Sequence, residues 1–154
     1  MSKIYATKIP NAKEILEKNG CYGTKVVGIS MNPFIWQSRD TVFIVKKTAR
    51  LKKYDVAFFI SHKGDCVLHR VKKVRKNSYD IIGDNNFYMD KFVPEGNVIG
   101  VLEGYYKRDK YIKCSSRLYK FKTRLYCFFP IKAVFIFFNR VGRKLNKMFS
   151  KKEK

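Results

Sequence analysis

Asp55-Val56-Ala57-Phe58-Phe59-Ile60-Ser61-His62-Lys63-Gly64-Asp65-Cys66-Val67-Leu68-His69-Arg70-Val71 holds two apolar runs, rich in aromatic and β-branched side chains, on either side of a Lys63-Gly64-Asp65 turn. Such residues suit a pleated surface, and glycine and aspartate suit the reversal, so the stretch reads as a β-hairpin. The same texture extends both ways. Lys25-Val26-Val27-Gly28 and Thr41-Val42-Phe43-Ile44-Val45 precede it; Tyr79 to Ile82 and Asn97 to Leu102 follow, with Lys76-Asn77-Ser78 as a further turn. About six short strands with turns between them predict a mainly β fold, a small antiparallel β domain. One short helix is expected before it. Asn11 with Glu14 three residues later suits a capping box, Ile15 and Leu16 give an apolar face, and Asn19-Gly20 supplies the stop.

The chain has 154 residues, enough for one domain with a core. Lys and Arg number 34 against 12 Asp and Glu, a formal net charge of +22, yet 45% of the residues are hydrophobic. That is too apolar for a disordered polybasic tail. The surface should carry a positive field, which favours nucleic acid, anionic lipid or acidic peptides and excludes an enzyme that relies on a negative cleft of its own. The charge is uneven. Residues 1–104 hold 18 basic and 10 acidic residues, whereas residues 105–154 hold 16 and 2. We therefore divide the chain into a domain over 1–104 and a basic, aromatic-rich, helical tail over 105–154.

Cys21, Cys66, Cys114 and Cys127 form no CxxC pair, and reduced thiols are expected. Met1 to Gly20 carries Lys3, Lys8, Lys13, Glu14, Glu17 and Lys18 without an apolar run, which argues against a signal peptide or an N-terminal span and for a cytoplasmic location. In the tail, Leu125 to Phe138 is nearly all apolar, broken by Pro130 and Lys132. Its length falls short of the ~20 residues a spanning helix needs. Arg140, Arg143, Lys144 and Lys147 follow, interleaved with Val141, Leu145, Met148 and Phe149, as in a basic amphipathic helix at a membrane surface. Residues 125–154 are thus expected to meet an anionic membrane at its inner face, or else to pack their aromatic side on the β core.

Three segments carry candidate chemistry. Gly28-Ile29-Ser30-Met31-Asn32-Pro33 sets a serine at a strand end, where a proline-restricted turn could expose its hydroxyl. Val67-Leu68-His69-Arg70-Val71 sets a histidine inside a strand. Ile82-Gly83-Asp84-Asn85-Asn86, with Asp90 six residues beyond Asp84, supplies carboxylates. Each alone has an ordinary structural reading: a turn serine, a satisfied histidine, an Asp/Asn turn. Together they hold the parts of serine acyl transfer. A serine hydroxyl needs a base near neutral pKa, histidine is that base, and a carboxylate fixes its tautomer.

These segments resemble the catalytic boxes of the signal peptidase I and repressor-autoprotease superfamily, over roughly residues 20–104. Gly28 to Pro33 resembles the S-M-x-P box, which implies Ser30 as nucleophile, with Met31 and Pro33 shaping the turn and oxyanion hole. Tyr54-Asp55-Val56-Ala57-Phe58-Phe59 resembles the G-D-[IV]-V-x-[FY] strand. Val67 to Val71 is similar to the base box, with His69 where most bacterial signal peptidases have lysine and the endoplasmic-reticulum type has histidine. Gly83-Asp84-Asn85-Asn86 resembles the G-D-N box, and Val98-Ile99-Gly100-Val101 the closing strand. Asp90 fits the spacing of the orienting aspartate; Asp84, with Arg70 and Asn85, would be structural, although Asp84 remains the alternative orienting group. Gly28 stands where bacterial signal peptidases have an oxyanion-hole hydroxyl. The resemblance implies an endopeptidase, without cofactor, that removes a leader or signal segment from a precursor bound in extended form.

Two other readings stand beside it. The net charge and Tyr105, Tyr106, Tyr111, Tyr119 and Phe121 suit a nucleic-acid-binding module, but no recognised nucleic-acid motif accompanies them. His62, Cys66 and His69 could supply metal ligands, yet they straddle a hairpin tip, and no metal is expected.

Overall fold

A computed structural model of the chain describes residues 11–128, 131–138 and 141–142. It is mainly β. Eight strands form one antiparallel sheet: β1 (Cys21–Lys25), β2 (Thr41–Lys46), β3 (Val56–Ile60), β4 (Cys66–Val74), β5 (Ser78–Ile82), β6 (Met89–Pro94), β7 (Val98–Lys107) and β8 (Lys110–Lys113). The spatial order is β1-β2-β7-β3-β4-β5-β6, with β8 paired to β7. Helix α1 (Asn11–Asn19) precedes the sheet, and α2 (Arg117–Cys127) and a helical segment α3 (131–138) follow it.

The Asp55–Val71 stretch folds as the β3-β4 hairpin. Ser61 and Asp65 close its tip through a 2.9 Å backbone hydrogen bond, and Gly64 takes φ +79°, the left-handed conformation that glycine adopts without steric cost. Alternate residues of β3 feed two cores. Val56 and Phe58 join Leu16, Met31, Ile44 and Leu102 on one side. Ala57 and Phe59 join Val71, Tyr79, Ile81 and Val98 on the other. A strand buried on both faces has no polar positions to alternate with, which is why Val56–Ile60 is a continuous apolar run. Each of the valine, leucine, isoleucine, methionine and phenylalanine side chains among these, removed from water, stabilises the fold by about 1.5–3 kcal/mol.

Two strands lie outside the sequence expectation. Met89–Pro94 and Lys110–Lys113 are largely exposed strands with little apolar pattern, held by backbone pairing to β5 and β7. The first strand is Cys21–Lys25, not residues 25–28, since Cys21 to Lys25 pair with Val45 to Thr41. β7 runs unbroken through residue 104 to Lys107. α2 then buries Tyr119, Thr123, Tyr126 and Cys127, a helical i, i+4, i+7, i+8 face. The expected amphipathic helix beyond Arg140 lies outside the described residues, apart from 141 and 142.

Candidate active site

The chain leaves β1 at Lys25 and bends at Gly28, φ +94°. Gly28 N–H donates to Gln37 Oε1 at 2.9 Å. Met31 and Ile35 sink into the first core, anchoring the residues after Ser30. The turn is closed by Asn32 N–H on the Ile29 carbonyl at 3.2 Å and Trp36 Nε1–H on the Pro33 carbonyl at 3.0 Å.

The turn after β5 grips this loop. Asn85 N–H donates to the Ser30 carbonyl at 2.7 Å, and Asn85 Nδ2 donates to the Ile29 carbonyl at 3.2 Å. The approach is so close that a Cβ on residue 83 would stand 2.8 Å from the Ser30 carbonyl oxygen, which accounts for glycine there. The exposed hydroxyl expected for Ser30 is corrected. Ser30 is 1% exposed, and its Oγ has no hydrogen-bond partner among the described residues. The buried Met31 draws the loop inward and takes Ser30 with it.

His69 and Arg70 follow each other in β4, and strand alternation sends them to opposite faces. His69 lies on the Ala57/Phe59 face, its ring centroid 6.2 Å from that of Phe59. β4 pairs Arg70 with Ile82, the last residue of β5, so His69 lies just beyond the end of β5. Asp90 reaches the same space from β6, and its Oδ2 lies 3.0 Å from His69 Nδ1. The His69 side chain is 10% exposed and that of Asp90 48%.

Arg70 turns to the other face and meets Asp84, with Nε to Oδ1 at 2.8 Å and Nη2 to Oδ2 at 2.6 Å. Nη1 donates to the Tyr54 carbonyl at 2.9 Å, and both terminal nitrogens donate to the Tyr119 hydroxyl at 3.2 Å. All five N–H groups of this buried guanidinium are thereby engaged. It also lies over the rings of Phe34 and Tyr119, at 5.1 and 5.8 Å. Burial opposes its charge, but Asp84 together with Tyr119 outweighs burial and raises Arg70 above its ordinary pKa.

The tail supplies three further holds that sequence reasoning missed. Besides Tyr119 on Arg70, the Tyr126 hydroxyl donates to the Asp84 carbonyl at 3.0 Å, and Lys132 Nζ donates to the Gly83 carbonyl at 3.2 Å. Burial lowers the pKa of that lysine, with Asp84 acting the other way. The 119, 123, 126 spacing was the available signal, masked by the basic residues between. Tyr105 and Tyr119 are core residues, 2% and 7% exposed, and so do not belong to an exposed stacking surface.

A cleft of about 780 Å³ opens beside the histidine. His69, Asp90, Asn85 and Ile29 line it, with an apolar wall that includes Phe59 and Val67. Ser30 is not among its lining residues; its neighbour Ile29 is. Among the described residues no group of three His, Cys, Asp or Glu side chains is arranged to hold a metal ion, and His62 and Cys66 sit at either side of the β3-β4 tip. All four cysteines are free thiols.

A family model described as Peptidase S24-like matches residues 2–102. No curated protein matches the chain, and no solved structure does.

Proposed function

Since the chain belongs to the S24-like peptidase family, we propose that it is a serine endopeptidase in which Ser30 is the nucleophile, His69 the general base and Asp90 the group that orients the base. The observation that carries this reading is the 3.0 Å contact between His69 Nδ1 and Asp90 Oδ2 on the wall of a cleft that also includes Ile29. With Nδ1 engaged by a carboxylate, Nε2 is the ring atom left to accept a proton.

Catalysis then runs as follows. Ser30 Oγ, which has no hydrogen-bond partner among the described residues, turns about χ1 toward His69 Nε2. Its oxygen attacks the scissile carbonyl carbon while Nε2 takes the hydroxyl proton, and Asp90 stabilises the imidazolium. The Ser30 N–H faces the developing oxyanion. His69 next returns the proton to the leaving amine nitrogen and the C–N bond breaks; water, deprotonated by His69, then attacks the acyl carbon, the bond to Ser30 Oγ breaks, and His69 returns the proton to Oγ. Gly28 brings no side-chain hydroxyl to act as a second donor beside the Ser30 N–H, and the absence of one such donor corresponds to about 3 kcal/mol in the barrier. Asp84 takes a different part. It neutralises buried Arg70 and so keeps rigid the Gly83–Asn85 turn that grips the Ser30 carbonyl.

The substrate is a precursor whose leader or signal segment enters in extended form. β6 is a terminal strand of the sheet, and Lys91 to Pro94 line the cleft, which suits a peptide laid along a strand edge. The histidine at position 69, as in the endoplasmic-reticulum type of signal peptidase, is consistent with this chemistry. Intact-mass analysis of candidate precursors incubated with wild type, Ser30→Ala and His69→Ala tests the reading. Wild type should release one defined fragment and neither variant should; equal processing by all three sinks it.

A further inference from the structure

α2 has two faces. At 3.6 residues per turn, Tyr119, Thr123, Tyr126 and Cys127 share the side packed on the protein. Leu118, Phe121 and Leu125, at i, i+3 and i+7, fall on the opposite side and are 63%, 65% and 51% exposed. Phe128 extends the stripe by another turn at 63%. Arg117, Lys120, Lys122 and Arg124 complete the exposed surface, and the helix carries no acid. On α3, Val134, Phe137 and Phe138 are each more than half exposed as well. Large apolar side chains gathered at this density mark a surface with a partner.

We propose that this surface is the docking face for an anionic lipid bilayer, with α2 lying in the plane of the interface. The chemistry selects the occupant. The leucines and phenylalanines enter the boundary between headgroups and acyl chains, and the flanking cations meet lipid phosphates. A second copy of this chain would bring four cations against four others. A nucleic acid would satisfy the cations but leave Leu118 and Leu125 against a charged backbone. No helix among the described residues is long and apolar enough to cross a membrane, which fits a helix that lies on the surface.

The face points away from the Arg70–Asp84 pair that the opposite side of the helix holds, so the bilayer would dock without covering that support. The proposal is independent of catalysis, and its test uses no substrate. The full chain is sedimented with vesicles of phosphatidylcholine alone and with vesicles containing phosphatidylglycerol as about half of the lipid. Binding to the anionic vesicles should be at least about tenfold tighter and should weaken with added salt. Phe121→Ser with Leu125→Ser should weaken it about tenfold or more, and Lys122→Gln with Arg124→Gln should do so on anionic vesicles only. Circular dichroism melts report whether each variant folds, and the charge pair, being fully on the surface, retains the test if the apolar pair does not. Equal binding to both vesicle types, unchanged binding by the folded variants, or tighter binding to a single-stranded oligonucleotide overturns the proposal. So does a vesicle-free dimer that Phe121→Ser with Leu125→Ser dissociates.

Discussion

Tyr126, on the tail helix, donates its hydroxyl proton to the main-chain carbonyl of Asp84, 3.0 Å away in the turn that grips Ser30. Residues more than a hundred positions from the N-terminus thus bear on a loop near it. Tyr126→Phe keeps the ring packed between Phe34 and Phe135 but leaves a buried carbonyl without its donor. A loss of about 1–2 kcal/mol is expected, read as a fall of roughly 2–8 °C in the melting temperature. Precursor cleavage should slow with little change in KM, since the cleft wall itself is untouched. An unchanged melt would mean that the hydrogen bond carries nothing.

The two aspartates should separate cleanly. Asp84→Ala strands the Arg70 guanidinium, 1% exposed, without its counter-charge, and should destabilise by about 3–5 kcal/mol. Asp90 has a half-exposed side chain, so Asp90→Asn should melt near wild type while losing about 10²- to 10⁴-fold in kcat. Chemical denaturation beside the cleavage assay measures both. A folded, fast Asp90→Asn would remove Asp90 from the catalytic set.

The thiols make a third check. Burial pushes Cys114 up to about 11 and also raises Cys66 and Cys127, whereas Cys21 is exposed on β1. Thiolate is the reactive form, so at pH 8 a raised pKa and poor access both slow alkylation. Native protein treated with a disulfide reagent should show one fast thiol, and denatured protein four. Mass mapping should assign the fast one to Cys21.

Arg75 holds the Asp80 carboxyl below its usual range through hydrogen bonds of 2.8 and 2.7 Å, with the Phe92 N–H assisting. A carboxyl whose folded pKa is depressed contributes stability above its unfolded value of about 4, and that contribution disappears as pH falls through the folded value. Arg75→Met should therefore be less stable than wild type at neutral pH. The gap should close below about pH 4. A gap that is constant with pH would assign the loss to packing of Arg75 on Phe92 instead.

Much of this was legible beforehand for a physical reason. The strands that feed the cores had to be largely apolar, and Val42–Val45, Val56–Ile60 and Val67, Leu68 and Val71 around His69 and Arg70 say so. Ser30, His69, Asp84 and Asp90 were visible through the spacing of their boxes. β6 was not, because a strand held by backbone pairing at the edge of a sheet needs no apolar pattern, and Asp90 rides on it. The burial of Ser30 was hidden as well, since it follows from where Met31 packs. In the tail, Tyr119 and Tyr126 read as part of a basic stretch. Their positions under the guanidinium and against the Asp84 carbonyl depend on contacts across the sequence that no local pattern encodes.

The place of β7 between β2 and β3 has a consequence for synthesis. The serine loop hangs from the β1-β2 side and the histidine and aspartates from the β3 to β6 side, and β7 is the strand that sutures the two. A ribosome has delivered every proposed catalytic group before it delivers Lys107. Until then the two sides of the sheet lack the strand that pairs with both, and the emerging chain holds the parts of a peptidase without being one.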